Sequence, residues 1–179
     1  MLTVGGIAAV AAVTGALLGN HSPARASARV AASQPRCLNI QLNITPGRSN
    51  GAAGHIAILY RLHNMRATAC TLTGYPGVRL LGRSFRDLPT HLHRGGLVLD
   101  GRRTPSTVSV ASHGNAWFAL EYRDVPAADG SCTMATYLMI FPPNDYLPVI
   151  AYAGQGGVSV RACAGELEVS PVTAGNAGF

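Results

Sequence analysis

Apolar and polar residues alternate with a period of two along much of this chain. Leu38-Asn39-Ile40-Gln41-Leu42-Asn43-Ile44 alternates without a break, which predicts a half-buried strand with Leu38, Ile40, Leu42 and Ile44 turned inward. Pro46-Gly47 ends it, and residues 48–54 read as a polar turn. The run HIAILYRL over residues 55–62 predicts a second strand, with Ile56, Ile58, Tyr60 and Leu62 on one face. Short extended pieces follow at residues 71–73, 78–81, 97–99 and 107–111, then at 116–122, which holds the single tryptophan. Residues 133–141 form the most apolar strand, stopped by Pro142-Pro143-Asn144-Asp145, and the face carrying Tyr137, Met139 and Phe141 is assigned to the core. Further pieces lie at 148–152 and 156–163, with Leu167-Glu168-Val169 as a final edge strand. Residues 82–95 lack clear patterning and read as a long exposed loop. No segment sustains a helical period. Roughly seven to nine short strands separated by turns predict an all-β, immunoglobulin-like two-sheet β-sandwich.

Composition agrees with short strands and many turns. Charged residues make up 12% of the 179 residues, against about 25% in ordinary soluble domains. All 14 basic residues are arginine. Absence of lysine, with abundant alanine and glycine, is the signature of GC-rich coding and points to an actinobacterial source. The formal charge of +6 suits anionic partners as well as simple solubility.

Residues 4–19 (VGGIAAVAAVTGALLG) are an uncharged apolar run of signal-peptide length, short for a membrane span of about 20 residues. No basic residue precedes the run, a departure from the usual leader pattern. Ala26-Ser27-Ala28 supplies a cleavage site before Arg29, Ala24-Arg25-Ala26 is a second option, and an uncleaved membrane anchor is the alternative to cleavage. The expected organisation is a signal peptide over 1–28, a flexible lead-in over 29–36, the sandwich over 37–172 and a flexible tail over 173–179. Gln34-Pro35-Arg36 before Cys37 does not match a lipoprotein cleavage site. The expected location is secreted or cell-envelope, extracytoplasmic, with no membrane span after cleavage.

Four cysteines, Cys37, Cys70, Cys132 and Cys163, fit an exported protein with two disulfides. Three connectivities are possible. A strand starting at Cys37 and an antiparallel partner ending shortly before Cys70 bring those two together. The same logic joins Cys132, at a strand start, to Cys163, at its partner's end. Each bridge then closes about 30 residues, a stabilisation of roughly 3–4 kcal/mol in the chain-entropy picture. Zinc binding through these cysteines is disfavoured, because no two are close in sequence.

Several of these features occur together in one family. Cys37 opening a strand, Leu62-His63-Asn64, the run CTLTGYPGV over residues 70–78, and the later Cys132 and Cys163 resemble the actinobacterial secreted domain of unknown function numbered 4232. The resemblance covers about residues 37–172. It implies an exported or envelope-associated β-sandwich, found in mycobacteria among others, with no known reaction or ligand and no catalytic residues to transfer. The cysteines and the Gly74-Tyr75-Pro76-Gly77 turn are then structural. Where the family often has a Pro-Gly turn before the tryptophan strand, this chain has Ser112-His113-Gly114.

Candidate chemistry is sparse. His91 and His93 are two apart, so on a strand both imidazoles reach one side, and His55, His63 or His113 are possible third metal ligands. No carboxylate cluster is visible near them, and the two read first as solvated loop residues. Arg79, Arg83, Arg86, Arg94, Arg102 and Arg103 form a possible face for an anionic ligand, opposed only by Asp87 and Asp100. Only Phe85 stands among them as a stacking ring, which argues against nucleic acid. Glu121 and Asp124 are the nearest acidic pair on a strand end, and their odd spacing sends them to opposite faces. No nucleophile elbow or His-Glu-x-x-His motif is present. The expectation is a non-catalytic module without cofactor or bound metal. Its partner is an envelope protein, a glycan or an anionic lipid head group. A small metal-binding or hydrolytic module on His91 and His93 is the alternative.

Overall fold

A computed structural model describes Leu2 and residues 33–99, 103–127, 130–157 and 159–175. The expected leader over 1–28, apart from Leu2, and the last residues of the expected tail lie outside the described residues. Among those described, twelve strands and two short 3-10 turns are present, with no α-helix and no helix long and apolar enough to cross a membrane. The strands are β1 (Leu42–Ala52), β2 (His55–Asn64), β3 (Cys70–Thr73), β4 (Gly77–Leu81), β5 (His91–Arg94) and β6 (Thr107–Val110). They continue with β7 (Asn115–Arg123), β8 (Cys132–Ala135), β9 (Tyr137–Phe141), β10 (Val149–Tyr152), β11 (Val160–Cys163) and β12 (Glu166–Val169).

The result is a β-sandwich. One layer is a five-stranded sheet in the order β1-β2-β7-β12-β5, and strands β10-β9-β4 with the ribbons β11-β8 and β3-β6 supply the rest. The inward residues of β2 and β7, among them Tyr60, Leu62, Phe118 and Leu120, meet Val78, Leu80, Leu138 and Ile140 in one buried cluster. Tyr60 and Phe118 are register partners, and their rings stack with centroids 5.2 Å apart. The buried Tyr60 hydroxyl donates to the Ala153 carbonyl, which meets the need of a polar tip in an apolar core. Burial pushes the Tyr60 pKa far up, with the neighbouring Tyr122 adding to the effect.

Both expected disulfides are present. Cys132 and Cys163 are direct register partners in the β8–β11 pair, as their strand positions imply. Cys37 and Cys70 meet by another route. Cys37 lies ahead of β1 and Cys70 opens β3, and the two are brought together by a parallel bridge between Arg36 and Thr71. That bridge also ties down the residues just before Cys37. Thr71 is hydrogen-bonded to the segment twice, donating its N–H to Pro35 O and accepting from the Cys37 N–H at its own carbonyl. Ser109 donates to the Gln34 side chain. Residues 34–36 are therefore part of the sheet surface. At the other end, Thr173 pairs with Trp117.

The first strand differs from its expectation. Residues 39–41 form a 3-10 turn, Leu38 and Ile40 are exposed, and only Leu42 and Ile44 enter the core. Instead of stopping at Pro46, β1 continues to Ala52 through a bulge between Pro46 and Ser49. An edge strand tolerates proline there, because the missing N–H removes no ladder bond. Residues 97–99 do not form a strand. The last strand is also not an edge: β12 lies between β7 and β5, and β5 comes from the segment expected to be loop.

Candidate functional site

Strand alternation places Glu121 and Arg123 of β7, Glu166 and Glu168 of β12, His91 and His93 of β5, and His55 of β2 on the outer side of the five-stranded sheet. The register sets Glu168 directly opposite Glu121 on one side and His93 on the other. The turn holding Leu97 folds back over this face, and Leu97 is buried. Glu121 pins it. Its Oε1 accepts from the Val98 N–H at 3.2 Å and its Oε2 from the Leu99 N–H at 2.9 Å. His55 Nδ1 meets Oε1 at 2.7 Å. With these partners Glu121 is 1% exposed, a buried charge that is paired and hydrogen-bonded.

Glu168 has a poorer environment. Its Oε2 is shut off from solvent and has no hydrogen-bond partner among the described residues. Burial, and then the facing Glu121 carboxylate, hold its pKa above the ordinary range, against the opposing pull of His55, His93 and Arg123. His93 Nε2 lies 2.7 Å from Glu166 Oε2, so the outer histidine is also paired.

Two cavities flank this row. One of about 330 Å³ is lined by His55, His93, Glu121, Tyr122, Arg123, Glu166 and Glu168. The other, about 590 Å³, is lined by Tyr75, His93, Arg94, Gly95, Gly96, Arg103, Thr104 and Glu168. His93 and Glu168 thus border both. Gly95 and Gly96 have φ of 74° and 80°, a left-handed conformation that carries the chain away from β5 around the second cavity.

The comparison with protein families bears on this arrangement. A family model described as a domain of unknown function (DUF4232) matches residues 37–173. The chain belongs to this family. The match spans both disulfides and both cavities. No curated protein and no solved structure matches the chain.

The six predicted arginines separate. Arg94 and Arg103 come together at the second cavity. Arg79 is engaged by Asp87 at 3.1 Å, and Arg83 and Arg86 are exposed in the turn after β4. Arg102 lies outside the described residues. The histidines do not gather on one metal position. His55 is bonded to Glu121, His63 to Asn115 at 3.0 Å, and His113 occupies the β6–β7 turn. Among the described residues no three His, Cys, Asp or Glu side chains converge as metal ligands. The view that no carboxylates lie near His91 and His93 is corrected by β12, whose Glu166 and Glu168 are their register partners. The Glu166-Leu167-Glu168 alternation is the signal that could have revealed this, since both carboxylates must share a face. Asp124 sits beyond the end of β7, away from the Glu121 hydrogen-bond set.

Proposed function

We propose that this domain is a non-catalytic binding module working outside the cytoplasm, in the secreted or cell-envelope space of an actinobacterium, and that it holds an anionic group in the cavity beside β5. The observation carrying this reading is the meeting of Arg94 and Arg103 in one cavity with Tyr75. Two guanidinium groups suit a carboxylate or phosphate, as on an acidic glycan or a lipid head group. The two disulfides support an oxidising compartment. A non-catalytic role is supported by the pairing already present in the acid–histidine row, where His55 and His93 are held by carboxylates.

The test is retention on heparin and on phosphatidylglycerol vesicles at low and high salt. Retention that falls with salt, and is lost in Arg94→Glu and Arg103→Glu, is expected. Equal retention of these variants and the unaltered protein defeats the proposal.

A further inference from the structure

Glu168 lines both cavities of the outer sheet face. In the larger one it shares the lining with Arg94 and Arg103. A carboxylate in the wall of an anion site works against the guanidinium groups beside it.

The neighbours of Glu168 leave it poorly placed to carry a charge. On its own strand Glu166 lies two residues away on the same face and is held by His93 at 2.7 Å. From β7 come Glu121, directly opposite, and Arg123; from β2 comes His55; from β5 come His93, its register partner, and His91, the partner of Glu166. Of these cations, His55 is bonded to Glu121 and His93 to Glu166. Glu168 Oε2 is closed to solvent and accepts no hydrogen bond among the described residues. Its ionised form is therefore disfavoured, in agreement with its raised pKa.

The turn after β5 brings this oxygen to the cavity. Gly96 has φ of 80°, and a Cβ there would stand 3.4 Å from Glu168 Oε2. The same position at Gly95 would stand 3.6 Å from the Tyr75 hydroxyl. The turn thus presents bare backbone to these two polar tips. The Tyr75 hydroxyl lies 3.5 Å from the Arg103 carbonyl oxygen, which places the second arginine on the same rim. An anion between Arg94 and Arg103 adds a further negative charge near a carboxylate that already faces Glu121. That charge disfavours ionised Glu168, and by reciprocity a proton on Glu168 favours the anion. Protonation doubles the net positive charge of Arg94, Arg103 and Glu168 taken together.

We infer that the arginine cavity takes up a proton on Glu168 together with its anion, so that the module holds anionic ligands more tightly in mildly acid surroundings than at neutral pH. This rests on the anion-binding reading of the same cavity and adds its regulation. Affinity is full below the folded Glu168 pKa and declines as pH rises through it. His93 is the rival proton site, because it borders the same cavity and is charged only when protonated.

The experiment is titration calorimetry of the full chain with a heparin tetrasaccharide, whose sulfates stay ionised at both pH 7.5 and pH 5.5. Runs at pH 6.5 in two buffers of different ionisation enthalpy count the protons taken up. Glu168→Gln, His93→Gln and Arg94→Glu are compared with the unaltered protein, and thermal melts confirm that each variant folds. The expected result is net proton uptake and an affinity about tenfold higher at pH 5.5 than at pH 7.5. Glu168→Gln is expected to bind about tenfold more tightly than the unaltered protein at pH 7.5 and to lose most of the uptake. His93→Gln keeps the uptake, and Arg94→Glu loses binding at either pH. Binding without proton uptake, an unchanged pH 7.5 affinity in Glu168→Gln, or uptake that is lost in His93→Gln and kept in Glu168→Gln overturns the inference and leaves the anion site standing. An unaltered protein that does not bind, or an Arg94→Glu variant that binds equally well, defeats the anion site and this inference with it.

Discussion

Glu121 and Glu168 face each other directly across the β7–β12 pair, and only Glu121 has its oxygens fully engaged. Like charges in that position oppose folding. Glu168 has a raised folded pKa, so its neutral form is the one the fold favours. The stability it allows is complete below the unfolded pKa and is lost as pH rises through the folded value. Glu168→Gln is therefore expected to raise stability at neutral pH by about 0.2–1 kcal/mol, with the gain disappearing in acid. Urea unfolding at pH 7 and pH 3.5 measures both ends.

Removing the other carboxylate has the opposite sign. Glu121→Ala strips the acceptor from the Val98 and Leu99 N–H groups and from His55. A cost of about 1–3 kcal/mol is expected. Faster hydrogen exchange should be confined first to residues 96–99, and uniform exchange across the sheet would contradict the pinning role.

Asp145 gives an acid-side dependence. Burial works against its charge, but the N–H groups of Asn39, Leu147 and Tyr146 and the Arg36 guanidinium together hold its carboxyl below the usual range. Its contribution is thus present above the unfolded carboxylate pKa and is lost as pH falls through the lower folded value. Asp145→Asn is expected to melt below the unaltered protein at pH 7 and level with it near the acid limit of the fold. A gap that stays constant with pH would show that charge is not involved.

Gly165 fills a position no other residue fits. Its φ is 69°, and a Cβ would stand 2.3 Å from the Pro89 carbonyl oxygen, just where the His91 N–H bonds Gly165 O. Gly165→Ala is expected to cost more than about 1 kcal/mol and to loosen β5. Anion binding at Arg94 should fall further than the melting temperature alone predicts.

The bridges give a chemical check. Intact mass and thiol titration of unreduced protein should find no free thiol among the four cysteines. Replacing Cys132 and Cys163 by serine is expected to cost about 3–4 kcal/mol, read from denaturant midpoints.

Much of the fold was legible because a two-residue period marks a strand whatever its partner. β2 and the core residues Ile58, Tyr60 and Leu62 follow from it directly. The same period misled at Leu38 and Ile40, where the chain turns before joining the sheet. It also could not tell inside from outside in β9: both alternate sets are apolar, and the buried set is Leu138 and Ile140. The site was less legible for a related reason. Arg94 and Arg103 are close in sequence and stayed together, but Glu121, Glu168 and His93 meet only through strand pairing. Phe85 looked solitary among arginines, because its companion rings come from residues far along the chain.

The parallel pairing of β5 with β12 has a consequence for how the molecule is made. A chain emerging from its N-terminus delivers residues 91–94 long before residues 166–169 exist to receive them. β5 has its ladder partner only once β12 has been made. The arginine-lined cavity therefore needs both segments in place, since Arg94 at the end of β5 and Glu168 of β12 line it together.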